Sequence, residues 1–158
     1  MKNYGLYLLN YVLLCPCNVN IKAVILRDKK DICSKRYGME YYCEEDFENK
    51  DFRDKKLTKG EYEACRFVNC NFQDQHLSGY LFTECEFIEC DFSNMRWKGS
   101  KIQDAYFSAC KMLGLRFEEL SAFNLSFQAV DCRLDHSSFI NTNLSHCSFK
   151  ACSLKEAD

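Results

Sequence analysis

The chain is expected to be all-β, a parallel β-helix with four walls and about five coils, and two observations predict it. The first is a period: from Phe47 to Phe117 every fifth residue is large and apolar, fifteen positions in a row. The second is an echo: among the eight cysteines from Cys65 onward, a separation of 20 residues occurs four times and a separation of 15 twice. Five is an odd number, and strand side chains alternate faces with period two, so an unbroken strand would send every second large residue outward. The chain must therefore turn once per repeat, and each pentapeptide becomes one short side plus a corner. In a solenoid each residue sits above its equivalent one coil earlier, so composition echoes at the coil length. A 20-residue echo means four sides per coil.

The expected core follows from that stacking. Phe67, Phe72, Phe82, Phe87, Phe92, Trp97, Phe107 and Phe117 are repeat centres and face inward, in the ladders Phe47/Phe67/Phe87/Phe107, Phe52/Phe72/Phe92/Met112, Leu57/Leu77/Trp97/Phe117 and Tyr62/Phe82/Ile102. Phe139 and Phe149 are the corresponding centres of the last part of the chain. Trp97, the single tryptophan, is in phase and reads as core rather than as a recognition residue.

Residues 1–38 do not follow the period. They hold seven basic and two acidic side chains, whereas residues 39–158 hold fourteen and twenty-one, so the repeat body is acidic. The apolar run from Leu6 to Cys15 is too short to span a bilayer, which needs about 20 residues, and no small-residue cleavage site follows it. The break in charge and pattern at Met39 makes residues 1–38 an N-terminal extension. Translation is expected to begin at Met39; an N-terminal helix or strand that caps the open first coil, and an export or anchor signal, are the alternatives. From Glu40 to Tyr62 the position two before each centre is Glu45, Lys50, Lys55 or Gly60, none of them small and apolar, and this first coil is expected to be loose. After Phe117 the next clear centres are Ala129, Leu134, Phe139, Leu144, Phe149 and Leu154. The interval from 117 to 129 exceeds two repeats by two residues, so an insertion interrupts the helix within 118–128, as a bulge with Leu125 and Phe127 inside. Ala157 begins another repeat that Asp158 ends, and the chain reads as truncated.

Twelve cysteines would suggest disulfides in a secreted protein, but eight of them occupy the slot two before a centre, where Ser100, Ala105, Ser137 and Thr142 also stand. A thiol there serves as a compact hydrophobe. Stacked equivalents lie ~4.8 Å apart, wider than the ~3.8 Å Cβ separation of a disulfide. Reduced, buried thiols point to the cytoplasm. One sulfur per wall does not converge four tetrahedral ligands, so no metal and no cofactor is expected.

The triplets CRF, CNF, CEF, CDF, CRL, CSF and CSL, a small residue, a polar one and then Phe or Leu, are similar to those of the pentapeptide-repeat family, and the likeness runs from about Glu40 to Asp158. The Cys-rich, Phe-rich style resembles the bacterial quinolone-resistance (Qnr-type) branch. The resemblance implies a right-handed quadrilateral β-helix, functional loops that interrupt the repeats, and a C-terminal dimerising helix that this chain does not supply; a homodimer would require it. It also implies a DNA mimic that binds DNA gyrase or topoisomerase IV and protects them from quinolones. The alternative is a protein-interaction scaffold for another partner.

No nucleophile elbow, zinc-protease, P-loop or dinucleotide motif occurs, and a filled tower has no concave site, so no catalytic residues are expected. His76, His136 and His146 are scattered and expected to be solvated. The candidate partner-binding residues are the acids Glu84, Glu86, Glu89 and Asp91, clustered on two adjacent walls, and Glu118 and Glu119 at the insertion, read as exposed. Arg96, Lys98 and Lys101 follow directly in sequence and are expected to interrupt an acidic stripe. Direct nucleic-acid binding is disfavoured by the acidic body, and no membrane association is expected.

Overall fold

The computed structural model describes residues 38–158 and the backbone of Lys35 and Arg36. The expectations for the rest of residues 1–38 lie outside the described residues. Eleven short strands follow in order: β1 (Lys35–Arg36), β2 (Met39–Cys43), β3 (Asp46–Glu48), β4 (Gly60–Glu63), β5 (Arg66–Val68), β6 (Leu81–Thr83), β7 (Glu86–Ile88), β8 (Lys101–Gln103), β9 (Ala105–Ser108), β10 (Phe127–Val130) and β11 (Cys147–Lys150). They form two sheets, β1-β2-β4-β6-β8 on a first wall and β3-β5-β7-β9-β10-β11 on a second. All pairings are parallel except β1 with β2, an antiparallel contact at the outer edge of the first coil. The third and fourth walls stack through single bridges, such as Asn71 with Asp91 and His76 with Arg96.

This is the expected four-walled parallel β-helix. Phe47 lies over Phe67, Phe67 over Phe87 and Phe87 over Phe107, each step being 20 residues. The second wall carries six strand levels, so the tower has about six turns rather than five; the partial coils at its ends account for the difference.

The turn that an odd period demands falls two residues after each centre. From Ala64 to Gly114 every fifth residue has φ between 50° and 73°, whether it is Gly79, Gly99, Asn94, Asp104 or Ala109. A left-handed corner costs a residue with a Cβ about 1–3 kcal/mol unless neighbours over-determine it. Here the ladders on both sides hold it, and Asn, Asp and Gly, which visit that region most readily, fill many of the corners.

Inside, stacking is aromatic along the axis and edge-to-face across it. Phe47, Phe67, Phe87 and Phe107 have successive ring centroids 4.6, 4.9 and 4.9 Å apart and nearly parallel planes. Phe52, Phe72 and Phe92 repeat this at 4.7 and 4.8 Å. Between walls, Phe82 meets Phe87 at 5.6 Å and 74°. Each such pair adds roughly 0.5–1.5 kcal/mol to the burial of its rings. Trp97 joins the core, 3% exposed, and its indole N–H donates to the Arg116 carbonyl at 2.7 Å.

Eight of the ten predicted core centres are fully buried. Phe139 and Phe149 correct the expectation: they are only partly buried, because among the described residues no further coil covers them. The first coil is loose in one specific sense. Leu77 and Gly79 bond upward to Arg96 and Lys98, but among the described residues Leu57 and Lys59 make no equivalent backbone bonds to His76 and Ser78.

The insertion can be placed closely. Ser121 still bonds to Ser100 in the old register, whereas β9 and β10 pair Ala105 with Phe127, a step of 22. The two extra residues therefore lie between Ser121 and Ser126. Ala122, Phe123 and Asn124 protrude, and Leu125 and Phe127 turn inside as expected, 5% and 2% exposed. The register also exchanges sizes: Phe127 occupies the small-residue slot and Ala129 the centre. The ring of Phe127 fills the space that Ala129 leaves, edge-on to Phe107 at 5.9 Å.

The cysteines carry a role beyond filler. All nine described cysteines are free; Cys65, Cys70, Cys85, Cys90, Cys110 and Cys132 are buried, while Cys147 and Cys152, near the last coil, are half-covered. Cys70, Cys90, Cys110 and Cys85 each donate to the carbonyl of the preceding wall's centre one coil earlier: Phe47, Phe67, Phe87 and Tyr62, at 3.2–3.5 Å. Ser100 and Ser137 do the same with their hydroxyls, to Leu77 and Met112. The slot thus favours a small side chain whose thiol or hydroxyl can add a second hydrogen bond to an inward carbonyl, which Cys and Ser both supply.

Two outcomes are expected in equilibrium unfolding. Phe87→Ala costs about 3–5 kcal/mol, and Phe149→Ala clearly less. Cys110→Ser, which keeps the donor to Phe87, remains more stable than Cys110→Ala, which keeps the apolarity and loses that hydrogen bond, worth about 1 kcal/mol; the reverse order would reduce the thiol to filler.

Candidate interaction face

Centres point inward, so the residues on either side of each centre and at each corner form the surface. The register assigns them to walls. The first and second walls comprise residues 40–49, 60–69, 80–89, 100–109, 121–131 and 143–151, with twelve acidic and three basic side chains. The third and fourth walls comprise 50–59, 70–79, 90–99, 110–120, 132–142 and 152–158, with nine acidic and eleven basic. The formal charge of −7 for residues 39–158 therefore divides as −9 on one side of the tower and +2 on the other.

This corrects the expected interruption. Arg96 and Lys98 follow the acidic cluster in sequence but stand on the fourth wall, beside His76 and Arg116. Only Lys101 shares a wall with the acidic side, and its ammonium lies 5.4 Å over the ring of Phe123. Sequence neighbours across a corner face different directions.

The six candidate acids do not behave alike. Glu84 and Glu89 sit at left-handed corners, exposed, and make no ion pair among the described residues. Glu86 is exposed and lies 3.6 Å from Arg66, a surface pair worth little. Asp91 lies on the third wall and is spent locally: its Oδ1 accepts from the Ser93 amide at 3.0 Å and the Ser93 hydroxyl at 2.6 Å, and Oδ2 faces Lys111 at 3.6 Å. Asp51 and Asn71, two coils and one coil earlier, cap the amides of Arg53 and Gln73 in the same way. These are Asx turns, which hold the third-wall corner in the three coils from Asp51 to Asp91.

Glu118 and Glu119 correct the expectation of exposed acids. They close a 3-10 turn, Phe117–Glu119, on the fourth wall, and their side chains are only 22% and 20% exposed. Glu119 accepts from Arg96 at 2.8 Å and ties two coils together, while Glu118 accepts from Arg116 at 2.9 Å. Neither joins the acidic side. His76, His136 and His146 are exposed, as expected.

Beside the insertion is an open cleft of about 380 Å³, lined by Gln103, Asp104, Asn124, Leu125, Ser126 and His146. Ser126 donates to Asp104 at 2.9 Å and in turn receives the Asp104 amide at 2.8 Å, which fixes the root of the loop. At its tip Phe123 is 68% exposed. Sequence pattern located the insertion; the outward turn of Phe123 is decided by the pairing of β9 with β10. Among the described residues no three His, Cys, Asp or Glu side chains converge as metal ligands, and no helix is long and apolar enough to cross a membrane, which says nothing of β-barrels.

The sequence profile of the pentapeptide repeat region matches residues 80–158, half of the chain. The chain belongs to the pentapeptide-repeat family. Among solved structures it is similar to the pentapeptide-repeat protein Rfr23 from the cyanobacterium Cyanothece 51142, at 12% identity over 73% of this chain and 86% of that one, with a TM-score of 0.46. It is also similar to trypsin-treated QnrB1, a plasmid-mediated fluoroquinolone resistance protein, at 19% identity over 73% of this chain and 68% of that one, with a TM-score of 0.36. Full-length QnrB1 aligns at 14% identity over 75% and 85% of the two chains, with a TM-score of 0.29. No curated protein matches.

The local role of Asp91 has a pH signature. Burial raises its carboxyl, but the Ser93 hydroxyl and amide and then Lys111 outweigh it and hold the group below its ordinary value. A lowered folded pKa stabilises above the unfolded value of about 3.9 and is lost as pH falls through the folded value. Asp91→Asn keeps the Asx acceptor and removes the charge. It is expected to melt below the unchanged protein at pH 7, with the gap closing on acidification.

Proposed function

We propose that this pentapeptide-repeat protein is a non-enzymatic docking rod that offers the acidic first and second walls to a cationic surface built for duplex DNA. The partner that best fits the family resemblance is a bacterial type II topoisomerase, DNA gyrase or topoisomerase IV, which the rod would shield from quinolones. One observation carries the reading: the acidic excess is segregated on two adjacent walls, −9 against +2 on the opposite side.

The rigid stack supports mimicry in two ways. Coils repeat at the strand spacing of ~4.8 Å, so the charges sit on a fixed lattice and lose little side-chain freedom on binding. A rod of six levels spans about 24 Å at that spacing; duplex DNA of that length carries roughly 14 phosphate charges at one per ~1.7 Å. Counting only the acidic side raises the match from about half to nearly two thirds. Glu84 and Glu89, paired with nothing among the described residues, are the acids best placed to be read. Phe123 and Lys101 add an apolar and cationic contact beside them.

The decisive measurement is gyrase supercoiling with ciprofloxacin, with the full chain titrated in. Recovery of supercoiling is expected, weakening at high salt, and the pair Glu84→Lys and Glu89→Lys is expected to lose at least tenfold in potency. A reversal on the opposite side, Asp74→Lys, should change potency less than twofold. No protection at several-fold molar excess would rule out the topoisomerase reading; protection insensitive to Glu84 and Glu89 would rule out the acidic face.

A further inference from the structure

Five thiols form a single row. Cys70, Cys90, Cys110, Cys132 and Cys152 each stand two residues before a centre of the third wall, one residue before the bridged series Asn71, Asp91, Lys111, Arg133 and Ser153. They therefore follow the spacing of parallel strands, ~4.8 Å. Each member stands directly over its equivalent one coil earlier, from Cys70 through Cys90, Cys110 and Cys132 to Cys152. None is bridged to another, and with parallel Cβ vectors the spacing exceeds the ~3.8 Å that a disulfide prefers.

A different bridge matches that spacing. A zinc–thiolate bond is about 2.3 Å; two bonds of roughly that length or slightly less, on opposite sides of one linear ion, hold their sulfurs at most about 4.6 Å apart. Zinc is unsuited, since a straight row cannot converge four tetrahedral ligands. Soft thiolate donors also select Cu(I), and Cu(I) accepts two sulfurs in line. We infer that the third-wall row is a binding site for a soft monovalent ion of the Cu(I) class, held between successive cysteine sulfurs, with Cys70 and Cys90 as the point of entry.

Entry is argued from the surface. A groove of about 250 Å³ lies over this stretch, and its lining includes Cys70, Cys90, Glu89, Asp91 and Lys111 together with two asparagines. Lys111 offsets Asp91, 3.6 Å away, and Glu89 and the asparagine amides leave the mouth with one net negative charge, which favours a cation. On loading, the ion forms two metal–sulfur bonds and both thiol protons leave to solvent, so one Cu(I) and two thiols give an anionic dithiolate and two protons, with no change in oxidation state. The thiols exchange their bonds to the Phe47 and Phe67 carbonyls, at 3.2 and 3.5 Å, for the metal. Because Ser100 and Ser137 cap carbonyls from the same slot, the fold tolerates serine there, and serine variants remove the soft donor while keeping the cap.

The test uses the full chain, reduced and anaerobic, titrated with Cu(I) against a Cu(I)-selective chelator, with X-ray absorption at the copper edge and circular dichroism to confirm the fold. Binding with two sulfur neighbours per ion is expected. The double variant Cys70→Ser with Cys90→Ser should lose one equivalent without loss of strand signal, while Cys15→Ser with Cys17→Ser should retain the full stoichiometry. Unchanged stoichiometry in the first variant, loss confined to the second, or a site with more than two sulfurs or with nitrogen and oxygen neighbours would each overturn the assignment.

Discussion

The distance between neighbouring strands governs this protein. Backbone hydrogen bonding sets it near 4.8 Å, and the same distance suits two aromatic rings lying face over face. Phe47, Phe67, Phe87 and Phe107 stack at 4.6–4.9 Å because their backbones already do. Ladder and core therefore reinforce each other at every level. A side chain that fits one coil fits the next, and the period in sequence is the consequence.

The same constraint explains the slot beside each centre. Close stacking brings a thiol or hydroxyl from the following coil within reach of an inward carbonyl. Cys and Ser combine small size with donor capacity and recur there, while Ala105 shows that the donor is not obligatory. Where the register slips by two at the insertion, the pattern adapts rather than fails: Phe127 enters from the slot and Ala129 yields the centre. The tower conserves filled volume across a wall rather than the identity of any position.

Outside, no such constraint operates, and the surface is free to carry function. A corner every five residues sends consecutive repeats to different walls, so charge that looks mixed along the chain separates in space. The acidic side and the faintly basic side arise from that folding of sequence around an axis. Ion pairs such as Arg96 with Glu119 sit on the basic side and join coils to each other, leaving Glu84 and Glu89 on the acidic side as corner residues directed at solvent.

The fold was legible almost completely: the period, the four sides, the centres from Phe67 to Phe117 and the inward turn of Leu125 and Phe127 all follow from parity and spacing, because one local rule repeated many times leaves little to tertiary choice. The candidate face was legible only in part. Glu84, Glu86 and Glu89 could be named as a cluster, but that Asp91 serves an Asx turn, that Glu118 and Glu119 are tied to arginines, and that Arg96 and Lys98 stand on another wall depended on which residues the coil brings together 20 positions apart. Sequence by itself determined what lies inside, since burial depends on a residue's own phase. Tertiary structure alone decided what the outside presents, since electrostatics depends on neighbours that only the winding of the coil makes adjacent.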